Sequence, residues 1–189
     1  HAALASLQAR RENQQIVRYS AAMAEQASDR LAMVMRLRQA HERDEFELHF
    51  QPIRRLHDGS LAAIEALLRW RQPDGSHVSP EAFIPLCEAS GLIVPIGAWV
   101  LEEAARMHTR LAAAGHGDVA IAVNVSAVQL EAGMRAESIR SLFQRHGLPP
   151  RALHLELTES VLLQHPDDAR LLMATLRDEG LCLSIDDFG

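Results

Sequence analysis

The sequence predicts an α/β fold: a (β/α) barrel opened by an antiparallel hairpin, preceded by a linker helix and incomplete in this chain. Three observations predict it. Two strand-like runs, residues 46–53 and 61–68, flank an Asp58-Gly59 turn, and so short a link joins antiparallel neighbours because parallel ones need a long crossover. After the hairpin, strand-like and helix-like segments alternate, the pattern of parallel strands joined by helices. The last strand-like segment lies at residues 181–185, and the chain ends before such a barrel could close.

The elements follow in order. Residues 1–44 are polar and read as mostly helical, with Met23, Ala27, Leu31, Val34 and Leu37 at the three- and four-residue spacing of one apolar helix face. A linker helix packed on the next domain explains that face. A dimer or signalling helix is the sharper reading, but the heptad is not sustained. Residues 1–20 are too short for a domain and read as the tail of a preceding one. After the hairpin, Ser79-Pro80-Glu81 supplies an N-cap, a first-turn proline and a first-turn acid for a helix that Gly91 stops. A second helix spans 95–114 and closes at Gly115. Residues 119–125 form an apolar strand. A helix over 135–146 ends at Gly147, and a strand covers 152–157. The helix over 166–179 carries Asp167 and Asp168 in its first turn, where acids suit the macrodipole. Gly180 stops it before the last strand.

Composition narrows the function classes. The 189 residues are 48% hydrophobic, which supports a core and argues against wholesale disorder. A formal charge of -6 is a poor match for duplex nucleic acid, which needs a basic face. An anionic substrate would require a recruited positive charge, and a divalent metal is the simplest. Cys87 and Cys182 lack metal-ligand spacing and read as small buried thiols suited to a reducing cytoplasm. The most apolar stretch, 91–101, is too short to span a membrane and is interrupted by Pro95. No signal peptide is visible, and a first residue His1 points to a start inside a longer protein.

The chemistry gathers at the strand ends. Glu65 lies near the end of the second strand, Asn124 the third, Glu156 and Glu159 the fourth, and Asp186 and Asp187 the fifth. In a barrel these ends share one face. Each acid alone reads more readily as a cap or turn residue, and Asn124 as the cap of the next segment. Glu65 and Glu156, however, sit inside apolar strand sequence, where an unpaired carboxylate is costly. Gathering acids adds mutual repulsion, which a cation offsets. Carboxylates with one amide suit a hard ion, Mg²⁺ or Mn²⁺, and calcium also fits. Arg69, after the second strand, can hold a phosphate bidentately, and Gln51, at the end of the first, can contact a base or phosphate, although in isolation both read more readily as ordinary barrel-rim polar groups. The ten histidines show no ligand pairing of the H-x-x-x-H kind, and His154 reads as a core or rim residue.

These residues, in this order, resemble the EAL family of cyclic di-GMP phosphodiesterases. The matching stretches are FELHFQPI, EALLRW, SPEAFIPLCEASGLIVPIGAWVL, NVSAVQL, LHLELTES and SIDDFG, and together with the residues between them they span about three-quarters of the chain. The resemblance implies a TIM-like barrel with an antiparallel first strand over residues 45–189, and hydrolysis of cyclic di-GMP to linear pGpG with two Mg²⁺ or Mn²⁺ ions. It implies Glu65, Asn124, Glu156 and Asp186 as metal ligands, with Asp187 beside them as a further candidate ligand. It implies Glu159 as the residue holding a mobile loop, and Gln51, Leu67 and Arg69 as substrate contacts. Pairing of two copies through the barrel, or through the linker helix, is a further expectation.

In that family a mobile loop, a lysine that assists the water, another metal-binding glutamate and a late glutamine follow DDFG. The chain ends at Gly189, so the expectation is a fragment of a longer active protein, with no useful turnover by itself. The alternative is a degenerate module that binds the dinucleotide as a receptor without cutting it. The intact acidic set argues against that. The stretch ALASLQARRENQQIVRYS resembles, more loosely, the end of a GGDEF domain with its linker, which implies such a domain in cis and a cytoplasmic setting.

Overall fold

The computed structural model describes residues 21–158, 166–178 and 180–186. The GGDEF-like stretch therefore lies outside the described residues, as do Glu159 and Asp187. Helix α1 (Ala21–Glu42) leads into β1 (Phe46–Arg54) and β2 (Leu61–Arg71), then β3 (His77–Val78), α2 (Pro80–Ser90), α3 (Ile93–Ala113), β4 (Ala120–Val125), α4 (Ala127–Glu131), α5 (Ala136–His146), β5 (Leu153–Thr158), α6 (Pro166–Asp178) and β6 (Cys182–Asp186). The strand order is β1-β2-β4-β5-β6, with β3 on β2. The opening hairpin is antiparallel, and β2, β4, β5 and β6 are parallel, as the sequence predicts.

Two short elements escape the sequence reading. Strand β3 returns from an Asp74-Gly75-Ser76 turn built like Asp58-Gly59-Ser60. In each, the Asp Oδ1 accepts from the Ser backbone N–H at 2.9 Å, and the glycine has positive φ. Helix α4 starts from a capping box, in which Ser126 and Gln129 exchange side-chain and backbone hydrogen bonds. The cap after β4 is thus Ser126 and not Asn124.

Period two decides what each sheet face does. On β2, Ala66, Leu68 and Trp70 point to the helices and are buried. Trp70, Phe46 and Phe83 form an aromatic cluster, with centroids 5.8–6.2 Å apart. The Trp70 indole N–H donates to Glu45 at 3.1 Å. Arg36 of α1 lies over the Trp70 ring at 5.3 Å, and its guanidinium donates to Gln72.

These contacts, with Leu37 and Ala40 fully buried, pack α1 onto the hairpin and the helices that follow it. The expected apolar face is corrected at one position. Leu31 is 63% exposed, because the packed stripe runs through Met33, Leu37 and Ala40 and Leu31 lies about 120° around the helix from Leu37. Cys87 is buried, which pushes its thiol up to about 12, whereas Cys182 is only half-buried. Among the described residues no single helix is long and apolar enough to cross a membrane.

Candidate metal and substrate site

The site is the other face of the same sheet. With Ala66, Leu68 and Trp70 committed to the helices, Glu65, Leu67, Arg69 and Arg71 must project oppositely. The hairpin register sets Gln51 opposite Glu65, His49 opposite Leu67 and Glu47 opposite Arg69. Across the parallel strands Glu65 pairs with Ala122, Asn124 with Glu156, Glu156 with Ser184, and Thr158 with Asp186. Because paired residues share a face, Glu65, Asn124, Glu156 and the register position of Asp186 all belong to one face. The set climbs towards the carboxyl ends from β2 to β6.

Two expectations about strand ends change. Gln51 does not end β1 but lies inside it, and Arg69 does not follow β2 but belongs to it, since β2 continues to Arg71 to pair with β3. The pairing of β2 with β4 stops at Ala66, so Glu65 still stands at the carboxyl end of the parallel part.

One contact joins two predicted ligands from different strands. Asn124 Nδ2 donates to Glu65 Oε1 at 3.0 Å. The small Ala122, level with Glu65, leaves room for Asn124 to reach back. A carboxylate only accepts, so the amide nitrogen faces Glu65 and Oδ1 is turned away. Glu156 accepts from the Ser184 hydroxyl at 3.3 Å. A carboxylate-amide-carboxylate row of this kind is an all-oxygen donor set, which fits Mg²⁺ or Mn²⁺ and supplies the negative charge they require.

Residues that sequence reasoning passed over support this row. Glu88 of α2 accepts from the Ser126 hydroxyl at 2.7 Å, just past the end of β4. The buried Gln129 accepts from Ser126 N–H at 3.0 Å. Ser-x-x-Gln is a capping-box signature, so the Ser126–Gln129 part was legible. A largely apolar cavity of 240 Å³ lies between the sheet and helices α2 and α3, lined by Ala66, Leu68, Ile84, Ile96 and Val100, and it reaches Leu67, Arg69 and Asn124 at the strand ends. The predicted contacts Leu67 and Arg69 and the predicted ligand Asn124 thus border one cavity, whose body lies on the helix side. The Arg69 guanidinium donates to the Leu68 carbonyl at 2.9 Å. His154, on the same sheet face, is half-buried, and burial lowers its pKa, with nearby Arg151 adding to the effect.

Comparison with known proteins places this arrangement. Residues 34–189 match the family model described as EAL domain. Over 171 residues the chain is 40% identical to the bifunctional diguanylate cyclase/cyclic di-GMP phosphodiesterase MucR of Pseudomonas aeruginosa, covering 90% of this chain and 25% of that protein. It is also 40% identical over 171 residues to the cyclic di-GMP phosphodiesterase NbdA of the same organism, covering 90% of this chain and 22% of that one. The chain thus spans about a quarter of the length of these curated relatives. Among solved structures, a PaMucR phosphodiesterase in complex with c-di-GMP superposes with TM-score 0.79 at 42% identity, over 84% of this chain and 64% of that one. The Xanthomonas citri FimX EAL domain in complex with c-diGMP gives TM-score 0.74 at 26% identity, over 86% and 62%. The TIM-like barrel class expected from the sequence agrees with these EAL neighbours. By its strand order, its strand-end acids and its match over residues 34–189, the chain belongs to the EAL domain family.

Proposed function

We propose that this domain, as part of a longer protein, carries out metal-dependent hydrolysis of cyclic di-GMP to linear pGpG. The observation that carries the reading is the Glu65–Asn124 hydrogen bond between two strands, on the face shared with Glu156. The phosphodiesterase names of MucR and NbdA support it.

The roles follow from chemistry. Glu65, Asn124, Glu156 and Asp186 would hold Mg²⁺ or Mn²⁺, with Asp187 contributing to a second ion. When bound, such ions supply positive charge to a phosphodiester and acidify water. Arg69, with its planar pair of N–H donors, would hold a phosphate oxygen. Leu67 would offer an apolar surface, and Gln51 an amide for a base or phosphate. Glu159 would position the loop that follows the site. A general base is needed to take the proton from the attacking water, and the acidic row supplies candidates.

In the cell, the same reading sets the domain in the cytoplasm with a GGDEF-like neighbour in cis. Leu31 and Met35, one helical turn apart and exposed on α1, support pairing of two copies through that helix.

The test is hydrolysis of cyclic di-GMP by the full-length protein, with Mg²⁺ or Mn²⁺ added and then removed by chelation. Linear pGpG formed only with metal is the expected result. Tight binding of the dinucleotide without product would replace the enzyme by a receptor.

A further inference from the structure

A second group of ligand-type side chains lies on the same sheet face but away from the acidic row. Glu47 and His49 are two residues apart on β1 and so project together. His77 comes from β3. Trp70 pairs with Phe46 on one side and Val78 on the other, so β1 and β3 flank β2 at this level. The side chains converge over β2. Glu47 Oε1 is 2.7 Å from His49 Nε2 and 2.9 Å from His77 Nε2. The two imidazoles meet edge to face at 5.5 Å. One ligand atom from each residue lies within 4.8 Å of the others.

We propose that Glu47, His49 and His77 form a binding site for a transition metal ion of the zinc class, separate from the oxygen-only row. Two imidazole nitrogens and one carboxylate oxygen are the donor set of zinc-class ions. Mg²⁺ and Mn²⁺ prefer oxygen throughout. Bonds of about 2.0 Å in tetrahedral geometry separate ligand atoms by about 3.3 Å, so entry of the ion requires the three groups to open by roughly 0.5 Å. Their side chains are a third to a half exposed, which leaves them that freedom and a path from solvent. Arg71 Nε donates to Glu47 Oε2 at 3.2 Å and pins the carboxylate with Oε1 towards the imidazoles.

Glu47 stands level with Arg69, four residues past Glu65 on β2. At about 3.3 Å per residue the two groups are about 13 Å apart along the strands, too far to share an ion. The inference therefore stands whether or not the acidic row serves hydrolysis.

The experiment is calorimetric titration of Zn²⁺ into the full 189-residue chain with Mg²⁺ in excess, so that oxygen sites are already filled. Wild type is compared with His49→Gln, His77→Gln and Glu65→Gln. One Zn²⁺ per chain is expected in wild type and in Glu65→Gln. Either histidine variant is expected to weaken it by about ten-fold or more. Zn²⁺ should also raise the thermal midpoint of wild type, and raise that of the histidine variants less. Equal Zn²⁺ affinity in all four proteins, or no heat in wild type, would reduce the cluster to a surface ion-pair network and overturn the proposal. The midpoint without Zn²⁺ reports whether each variant is folded.

Discussion

Strand β2 has two faces, and they obey different physics. Ala66, Leu68 and Trp70 are buried against the helices, while Glu65, Leu67 and Arg69 line the open face with Gln51 and Asn124 around them. In the first set, Ala66 and Leu68 are interchangeable with other apolar residues of similar volume, and Trp70 adds its bond to Glu45. The second set is not interchangeable, because Glu65, Arg69, Gln51 and Asn124 each offer a particular donor, acceptor or charge. Seven consecutive residues, Glu65 to Arg71, thus hold the fold together with one parity and set out the site with the other. The lesson is that stability and activity are separable in this strand by single substitutions.

The largest expected effect tests the helix side. Trp70→Ala removes the centre of the aromatic cluster, the bond to Glu45 and the ring beneath Arg36. A loss of about 3–5 kcal/mol is expected in urea unfolding. A loss below about 1 kcal/mol would mean that the face does not carry the fold and would break the comparison.

Glu65→Gln tests the open face. It keeps size and hydrogen-bonding capacity but removes a charge from the acidic row. Hydrolysis of cyclic di-GMP by the full-length protein is expected to fall by on the order of 10²-fold or more. Its unfolding midpoint should stay level or rise, since repulsion among the acids is relieved. A fall in midpoint matching that of Trp70→Ala would show the two faces to be inseparable.

Gly97→Ala probes the place where the faces are mechanically joined. A Cβ on Gly97 of α3 would fall 2.1 Å from Gln129 Nε2 and 2.7 Å from its Cδ. Gln129 is buried and holds Ser126 through the capping box, so it has little room to yield. Destabilisation of about 1–3 kcal/mol is expected, with a further loss of activity because Ser126 ends the strand that carries Asn124. An alanine variant with wild-type stability and activity would mean that Gln129 moves freely and couples nothing.

How much of this was legible depends on the range of the interactions. The hairpin, the parallel strands and the helix stops were readable because alternation, Asp58-Gly59 and the glycines after helices act locally. The acids were readable as a set because parallel topology brings strand ends together. Their partners were not: Asn124 with Glu65, or Glu88 with Ser126, are pairings across elements that only the register and the packing angle decide. Glu47, His49 and His77 escaped for the same reason, since a histidine search along one helix misses ligands split between β1 and β3. Leu31 failed for a different reason. Its spacing fits an apolar face, but the rotation of α1 is set by Arg36, Leu37 and Ala40 against the hairpin. Trp70 and Arg69 illustrate the remaining limit, because a strand's end was placed too early when its last pairing partner, β3, is only two residues long.

The smallest expected effect separates the faces by pH. Each holds a histidine whose pKa is lowered by burial: His108 on α3 among the helices, and His154 on β5 on the open face. His108 is 2% exposed, and its Nε2 has no hydrogen-bond partner, while a bond with the Gly117 backbone partly opposes the shift. A histidine lowered in the folded state resists a proton that the unfolded chain accepts. Stability contributed by that resistance to charging is intact above the unfolded value near 6.5 and is lost as pH falls below it. Each group steepens the loss by at most about 1.4 kcal/mol per pH unit. Replacing His108 by Asn should flatten the fall in unfolding free energy between pH 7 and about pH 5 more than the same change at His154, because His108 is the more deeply enclosed. A steeper contribution from His154 would mean that the Arg151 charge beside it, with the Gly117 bond opposing the shift at His108, outweighs the deeper enclosure of His108.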